Sequence, residues 1–184
     1  KLAGWTPGVH LNETGKAQAE ALAERLAQAP IKAIYSSPLE RALETAGPLA
    51  QARKMPVQEC EGIGEVRYGE WTGRSLKVLA RTKLWKVVQR QPSAMEFPGG
   101  ETIRAVQARA VEAVEGIVKR HPKDPVALFS HGDVIKLIVA YYLGMPLDTF
   151  QRVVIGTGSL TVIRVSPGMP MVMRMNEQPA AGKK

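Results

Sequence analysis

The chain has 184 residues and a formal net charge of +8, and 45% of its residues are hydrophobic while 23% are charged. This balance is ordinary for one globular domain with a sizeable core, and no apolar run approaches the roughly 18 residues that a membrane span needs. The single cysteine, Cys60, excludes an internal disulfide framework and a cysteine-based zinc site. We therefore expect a cytoplasmic protein with no membrane partner.

Strands and helices alternate along the chain, and breakers separate them. The predicted helices cover residues 14–29 (with Asn12 or Thr14 as the cap), 38–52, 76–91, 101–121 and 133–143. The predicted strands cover residues 31–36, 55–60, 126–129, 159–165 and 171–175, and the last two form a hairpin that turns at Pro167-Gly168. This order predicts an α/β fold, a three-layer α/β/α sandwich with a mainly parallel central sheet. The domain is expected to span residues 1–175, followed by a flexible tail at 176–184.

A histidine stands where a buried strand passes into a helix. The run Val126-Ala127-Leu128-Phe129 precedes Ser130-His131-Gly132, and Asp133 is placed to cap the helix that follows. Ligands of open α/β sheets bind at this edge, and helix amino termini favour anions. A lone histidine more often only satisfies local hydrogen bonds, but this context favours a binding site.

Arg41 has a similar setting, because Ser37-Pro38-Leu39-Glu40 reads as a capping box after the strand at 31–36. If the sheet is parallel, Arg41 and His131 converge on one pocket that suits a phosphate dianion. The glycine-rich loop at 61–74 offers Glu65 and Glu70 as proton donors to a leaving oxygen. Composition alone does not choose between these two carboxyl groups, and either could face solvent.

The order of four motifs resembles the histidine phosphatase superfamily, the phosphoglycerate mutase-like group, in its phosphomutase or phosphatase branch. The motifs are Ser36-Ser37-Pro38-Leu39-Glu40-Arg41-Ala42, Glu65-Val66-Arg67-Tyr68-Gly69-Glu70-Trp71-Thr72-Gly73, Pro98-Gly99-Gly100-Glu101-Thr102 and Ser130-His131-Gly132. Each motif is short, but their joint order is specific and covers nearly the whole chain.

The resemblance implies a phosphoglycerate mutase-like fold and a set of roles. Arg41 binds the phosphate, Glu65 protonates the leaving group, and His131 contacts the phosphate and stabilises the transition state. No metal and no cofactor are implied. The substrate side is lined by Gly4, Trp5, Thr6 and Gly132.

One element of the family pattern is missing from the sequence. The family's nucleophile is a histidine in an Arg-His-Gly motif at the end of its first, central strand. Neither His10 nor His121 has that context. No arginine precedes His10 and no strand leads into it, and His121 lies at the predicted end of a helix. Loss of a central strand would leave unpaired backbone groups in the core, each costing a few kcal/mol. We therefore expect about 10–20 upstream residues that form this strand.

The expected function is hydrolysis of a small phosphorylated metabolite through a phosphohistidine. The alternatives are a phosphoglycerate mutase and, if the nucleophile is truly absent, an inactive phospholigand-binding protein. A nucleic-acid partner is not expected, because the basic residues are scattered and only 5% of residues are aromatic. The Met-rich hairpin at 169–175 is either a sheet edge or the interface of a homodimer.

Overall fold

The computed structural model describes residues 1–165 and 168–178. Its helices are α1 (Glu13–Leu26), α2 (Glu40–Arg53), α3 (Leu76–Leu79), α4 (Lys83–Arg90), α5 (Ile103–Arg120) and α6 (Gly132–Tyr142). Its strands are β1 (Ala33–Ser36), β2 (Val57–Glu59), β3 (Val126–Phe129), β4 (Leu160–Arg164) and β5 (Met171–Glu177). The predicted alternation of strands and helices is confirmed.

The central sheet of the described residues is parallel, with strand order β2-β1-β3. In its register Ser36, the last residue of β1, lies opposite Phe129, the last residue of β3. Both strands therefore end at the same edge of the sheet, and the residues that follow them begin side by side. Strands β4 and β5 form a separate antiparallel hairpin.

Helices pack on both faces of this sheet. Alternate residues of a strand point to opposite faces, and β1 is buried on both of them. On one face Ile34 packs in a cluster with Leu22 of α1 and Leu49 of α2. On the other face Tyr35 packs with Ile117 of α5. The predicted three-layer α/β/α arrangement is thus confirmed.

The helix predicted over residues 76–91 is divided into α3 and α4. The division falls at Thr82, whose hydroxyl accepts a hydrogen bond from the backbone N–H of Trp85 at 3.2 Å. A threonine that caps a new helix competes with continuation of the previous one, so apolar periodicity alone missed the break.

Both predicted caps at the sheet edge are wrong. Helix α2 begins at Glu40 without a side-chain cap, and Ser37 lies before it with its hydroxyl turned toward His131. Helix α6 has His131 itself at the capping position, while Asp133 lies inside the first turn and pairs with Lys136 at 3.0 Å. The Ser37 hydroxyl, which also accepts the N–H of Leu39 at 3.3 Å, therefore contacts His131 across the sheet edge, whereas Asp133 pairs within its own helix.

The carboxyl-terminal hairpin is confirmed, and it is longer than predicted. Strand β5 continues through Glu177, which forms an ion pair with Arg25 of α1, so the strand ends two residues after its predicted end at residue 175. Residues 179–184 of the predicted tail, and Pro167 of the predicted turn, lie outside the described residues. None of the helices in the described part of the chain is both long and apolar enough to cross a membrane.

Two loops next to the sheet edge touch through their backbones. The N–H of Glu70 donates to the carbonyl of Pro98 at 2.9 Å, and the N–H of Glu101 donates to the carbonyl of Arg67 at 2.9 Å. Gly69 has a φ of +52°, and a Cβ there would lie 2.1 Å from the Pro98 oxygen. The approach therefore depends on glycine.

We predict that Gly69→Ala lowers the free energy of unfolding by about 3 kcal/mol or more, since it adds both a left-handed-region penalty and a clash with backbone. The measurement is urea unfolding. Gly116→Ala in α5 is the matched control, because its Cβ would make only an ordinary contact at 3.7 Å with Arg120. This control is expected to gain up to about 1 kcal/mol from helix propensity. Equal stabilities of the two variants would contradict the prediction.

Candidate active site

His131 lies at the end of β3 and is 7% exposed. Its Nε2 is 2.8 Å from the hydroxyl of Ser37, and its Nδ1 is 3.3 Å from Nη2 of Arg41. Because a guanidinium can only donate, we assign the lone pair to Nδ1 and the proton to Nε2, which donates to Ser37. Burial, and then the nearby cations Arg41 and Arg109, lower the pKa of His131 to about 3. The ring is therefore neutral at pH 7.

Arg41 lies in the first turn of α2, and its side chain is mostly buried. Its Nη2 donates to the carbonyl of Gly4 at 3.0 Å and faces Nδ1 of His131. Its other terminal nitrogen, Nη1, is buried and has no hydrogen-bond partner among the described residues. A buried charged donor without a partner is costly, and an anion at this position would remove that cost.

Glu65 completes the group. Its Oε2 lies 3.8 Å from Nδ1 of His131 and 3.9 Å from Nη2 of Arg41, and its Oε1 accepts from the N–H of Val66 at 2.9 Å. Glu70, the other carboxyl group in the same loop, is exposed. The geometry thus favours Glu65 over Glu70 as the predicted proton donor.

The pKa of Glu65 is raised to about 7, above its ordinary value of 4.5. The principal cause is burial, to which the negative charge of Asp133 adds, while the Val66 N–H and the cation Arg41 act in the opposite direction. A carboxyl group with such a pKa can hold a proton near neutral pH and donate it. The site therefore combines a carboxyl group that can hold a proton near pH 7 with a neutral imidazole.

The four residues predicted on the substrate side differ in their contacts. Gly4 contacts the cluster through its carbonyl, and Gly132 opens α6 next to His131. The indole N–H of Trp5 donates to the carbonyl of Glu65 at 2.6 Å. Thr6 donates its hydroxyl to the carbonyl of Ala3 at 2.7 Å, so that side chain is used within its own turn.

The remaining histidines contact other residues. His10 is exposed and pairs with Glu44, and His121 hydrogen-bonds the Tyr35 hydroxyl. Within residues 1–165 and 168–178, no group of three or more His, Cys, Asp or Glu side chains could hold a metal ion.

Sequence reasoning missed two contributors to the site. Ser37 was assigned to a helix cap, although it binds the His131 ring. Arg109 was not singled out, although it donates to the backbone of the segment that carries Glu65. A signal for Arg109 was available, because a cation beside the apolar stripe of Val106 and Ala110 is unusual on a buried helix face.

A buried guanidinium, an imidazole and a carboxyl group that meet where two parallel strands end have the donors and the acid that suit a phosphate ester. The model of the histidine phosphatase superfamily (branch 1) matches residues 1–178, and the chain belongs to this family. The resemblance inferred from the motifs is confirmed.

Named relatives agree with this assignment. The chain is 29% identical to phosphoserine phosphatase 1 of Hydrogenobacter thermophilus, covering 90% of this chain and 80% of the relative. It is 30% identical to a glucosyl-3-phosphoglycerate phosphatase of Mycolicibacterium vanbaalenii, covering 85% of this chain and 72% of the relative. The solved structure of Bacillus stearothermophilus YhfR superposes with a TM-score of 0.89 at 31% identity, covering 96% and 88% of the two chains. The predicted fold and the predicted phosphatase class of enzyme are confirmed.

We predict that Glu65→Gln stabilises the protein at pH 8 but not at pH 4. Below pH 4.5 the carboxyl group is protonated in the folded and the unfolded chain, whereas above about pH 7 the folded chain must hold a buried carboxylate. The wild type therefore loses stability as pH rises through this window, and the neutral amide does not. The gain at pH 8 should be on the order of 2 kcal/mol in chemical unfolding.

The exposed Glu70→Gln variant is the matched control for this measurement and should follow the wild-type pH dependence. A Glu65→Gln variant whose stability difference from the wild type is the same at both pH values would contradict the proposed burial of a proton on Glu65.

Proposed function

We propose that the protein hydrolyses a small anionic phosphomonoester through a phosphohistidine intermediate. The observation that carries this proposal is the buried Nη1 of Arg41, which lacks a partner among the described residues, on a guanidinium whose Nη2 lies 3.3 Å from His131 and 3.9 Å from Glu65. Phosphoryl oxygens would supply acceptors to Arg41 and to the amino end of α6 at Gly132.

His131 must donate from Nδ1 to contact a phosphoryl oxygen, and in the assigned tautomer that atom carries a lone pair. A bound dianion favours protonation of a neighbouring imidazole, so substrate binding takes up a proton at Nδ1. The ring then has two donors, one toward the phosphoryl group and one toward Ser37. It stabilises the negative charge that develops on the phosphoryl oxygens.

Glu65 serves as the general acid. In the first step a histidine nitrogen attacks phosphorus, the bond from phosphorus to the ester oxygen breaks, and Glu65 gives its proton to the departing alkoxide. In the second step Glu65, now ionised, takes a proton from the water that attacks phosphorus. The phosphorus–nitrogen bond breaks, inorganic phosphate leaves, and Glu65 is again protonated.

We propose that the nucleophilic histidine comes from a strand that precedes Lys1 and pairs with the open edge of β3. Among the described residues, β3 pairs with β1 alone and β4 pairs with β5 alone. Leu160 of β4 packs against the cluster that contains Phe129 of β3. An added strand between them would join the hairpin to the sheet and end beside His131.

The substrate class follows from charge near the site. Between Trp71 and Met95 the sequence has no acidic residue, and its six basic residues are all exposed: Arg74, Lys77, Arg81, Lys83, Lys86 and Arg90. This basic segment begins beside the substrate-side loop, since Gly73 and Leu2 are joined by a backbone hydrogen bond of 2.7 Å. We therefore propose substrates with a carboxylate in addition to the phosphate, a feature of both phosphoserine and glucosyl-3-phosphoglycerate.

We predict that Arg41→Ala and His131→Ala each lower kcat/KM for phosphoserine by about 10²–10³-fold in the full-length protein, because each removes a donor to the transferring phosphoryl group. Released inorganic phosphate is the measurement. His10→Ala, at a histidine that pairs with Glu44 on the surface, should keep wild-type turnover. Quenching with base should trap an acid-labile phosphoenzyme in the wild type.

Three results would contradict the proposal. Wild-type rates in both variants would exclude Arg41 and His131 from the active site. A wild type that binds phosphate without turnover would make the protein a phospholigand-binding protein. Interconversion of 2- and 3-phosphoglycerate in place of phosphate release would make it a mutase.

We also predict that neutralising Arg74, Lys77 and Arg81 together to Gln raises KM about 3- to 10-fold for 3-phosphoglycerate, because each exposed charge is worth a fraction of a kcal/mol. KM for glycerol 3-phosphate, which lacks the carboxylate, should change little. The matched control neutralises the exposed Lys32, Lys119 and Lys123. These lysines lie near the end of the sheet at which β1 and β3 begin, whereas the site lies where those strands end. An equal rise in KM for both substrates would contradict a role in carboxylate selection.

A further inference from the structure

We infer that Arg109 is a positioning residue that holds Glu65 in place by donating hydrogen bonds to the backbone carbonyls of the Glu65 loop (residues 61–66). This inference rests on the proposed function, since it concerns the acid of the same reaction. Arg109 belongs to α5, and all of its donors go to the backbone of the loop and to Glu101, so it is given no contact with substrate.

All five N–H groups of the Arg109 guanidinium are accounted for. Nη1 donates to the carbonyls of Gly62 at 2.9 Å and Gly64 at 3.0 Å, and Nη2 donates to the carbonyl of Glu65 at 2.9 Å. Nε and Nη2 also donate to the two carboxylate oxygens of Glu101, at 2.7 Å and 2.9 Å. A planar guanidinium has this number of donors and this fork geometry, and a lysine ammonium has neither.

Two further side chains complete the arrangement. The Ser130 hydroxyl donates to the carbonyl of Ile63 at 2.7 Å, and the Trp5 indole donates to the carbonyl of Glu65 at 2.6 Å. With Arg109, these donors satisfy every backbone carbonyl from residue 62 to residue 65. The Glu65 loop, which begins with a 3-10 turn at Glu61–Ile63, thus has a side-chain donor on each of these carbonyls.

Glu101 fixes the orientation of the guanidinium. Its carboxylate also accepts the N–H of Arg67 at 2.8 Å, so it bridges α5 to the residue that follows Val66. Burial alone would raise the pKa of Glu101, but the bonds from Arg109 and from the Arg67 N–H outweigh burial and lower it. The carboxylate therefore stays ionised, and Arg109 keeps its bidentate partner.

This arrangement links the acid to the phosphate-binding groups. Ser130 directly precedes His131, and Trp5 directly follows Gly4, whose carbonyl binds Arg41. Displacement of the Glu65 carboxyl by about 1 Å is enough to lose roughly 10²-fold in rate when proton transfer depends on it. Arg109 thus acts on the proton-transfer step through the backbone.

The test compares two leaving groups in the full-length protein. Phosphoserine releases an alkoxide that needs a proton, whereas p-nitrophenyl phosphate releases a phenolate that leaves without one. Arg109→Lys, which keeps the charge but loses the fork, should lower kcat/KM for phosphoserine about 10- to 100-fold and change kcat/KM for p-nitrophenyl phosphate less than about threefold, because kcat/KM reports only the steps up to release of the leaving group. Glu65→Gln should show the same dependence on the leaving group.

Arg53→Lys is the matched control, because Arg53 also donates to two backbone carbonyls, those of Ala27 and Ile31, at 2.8 Å and 3.1 Å. It removes comparable backbone anchoring from another part of the fold and should change neither rate selectively. Equal losses on the two substrates in Arg109→Lys, or no loss on either, would overturn the positioning role.

A second readout separates failure of this inference from failure of the proposed function. If the wild type turns over neither substrate, the phosphatase proposal fails, and amide hydrogen exchange then decides the role of Arg109. Faster exchange at residues 62–66 in Arg109→Lys but not in Arg53→Lys would support the anchoring of the loop. Unchanged exchange there would overturn it.

Discussion

The site depends on the parallel pairing of β1 with β3. Ser36 lies opposite Phe129, and the N–H of Ser37 continues the ladder by donating to the Phe129 carbonyl at 2.8 Å. The two chain segments that leave the sheet therefore run side by side for one more residue, which brings the Ser37 hydroxyl to the His131 ring. A shift of one residue in this register would turn these side chains to opposite faces of the sheet.

Burial has opposite effects on the two titratable groups of the pocket. Removal from water disfavours the charged form of each, so the pKa of Glu65 rises to about 7 while that of His131 falls to about 3. The site thus combines one fixed cation, Arg41, with a neutral imidazole and a carboxyl group that can hold a proton. This distribution suits an incoming dianion, which meets little negative charge and brings the histidine its proton.

Local signals predicted the main elements and the principal site residues because those signals depend on neighbours in sequence. The apolar run at 126–129 and the breaker pattern around it placed His131 at a strand end, and the same pattern placed Arg41. Motif resemblance added Glu65 and the family. The break at Thr82, the wrong caps at Ser37 and Asp133, and the extension of β5 to Glu177 all involve polar side chains that had more than one available partner.

The sequence by itself determined the α/β order, the family and the three side chains that we assign to phosphate chemistry. Only the tertiary structure showed that Glu65 is mostly buried while Glu70 is exposed, because burial comes from residues far away in the chain. It also decided that Arg109 anchors the Glu65 loop, through hydrogen bonds that span 44 residues or more. Periodicity and spacing predict where helices and strands begin and end. The pKa values of the site depend instead on burial by distant residues, and the geometry of the Glu65 loop depends on hydrogen bonds from them.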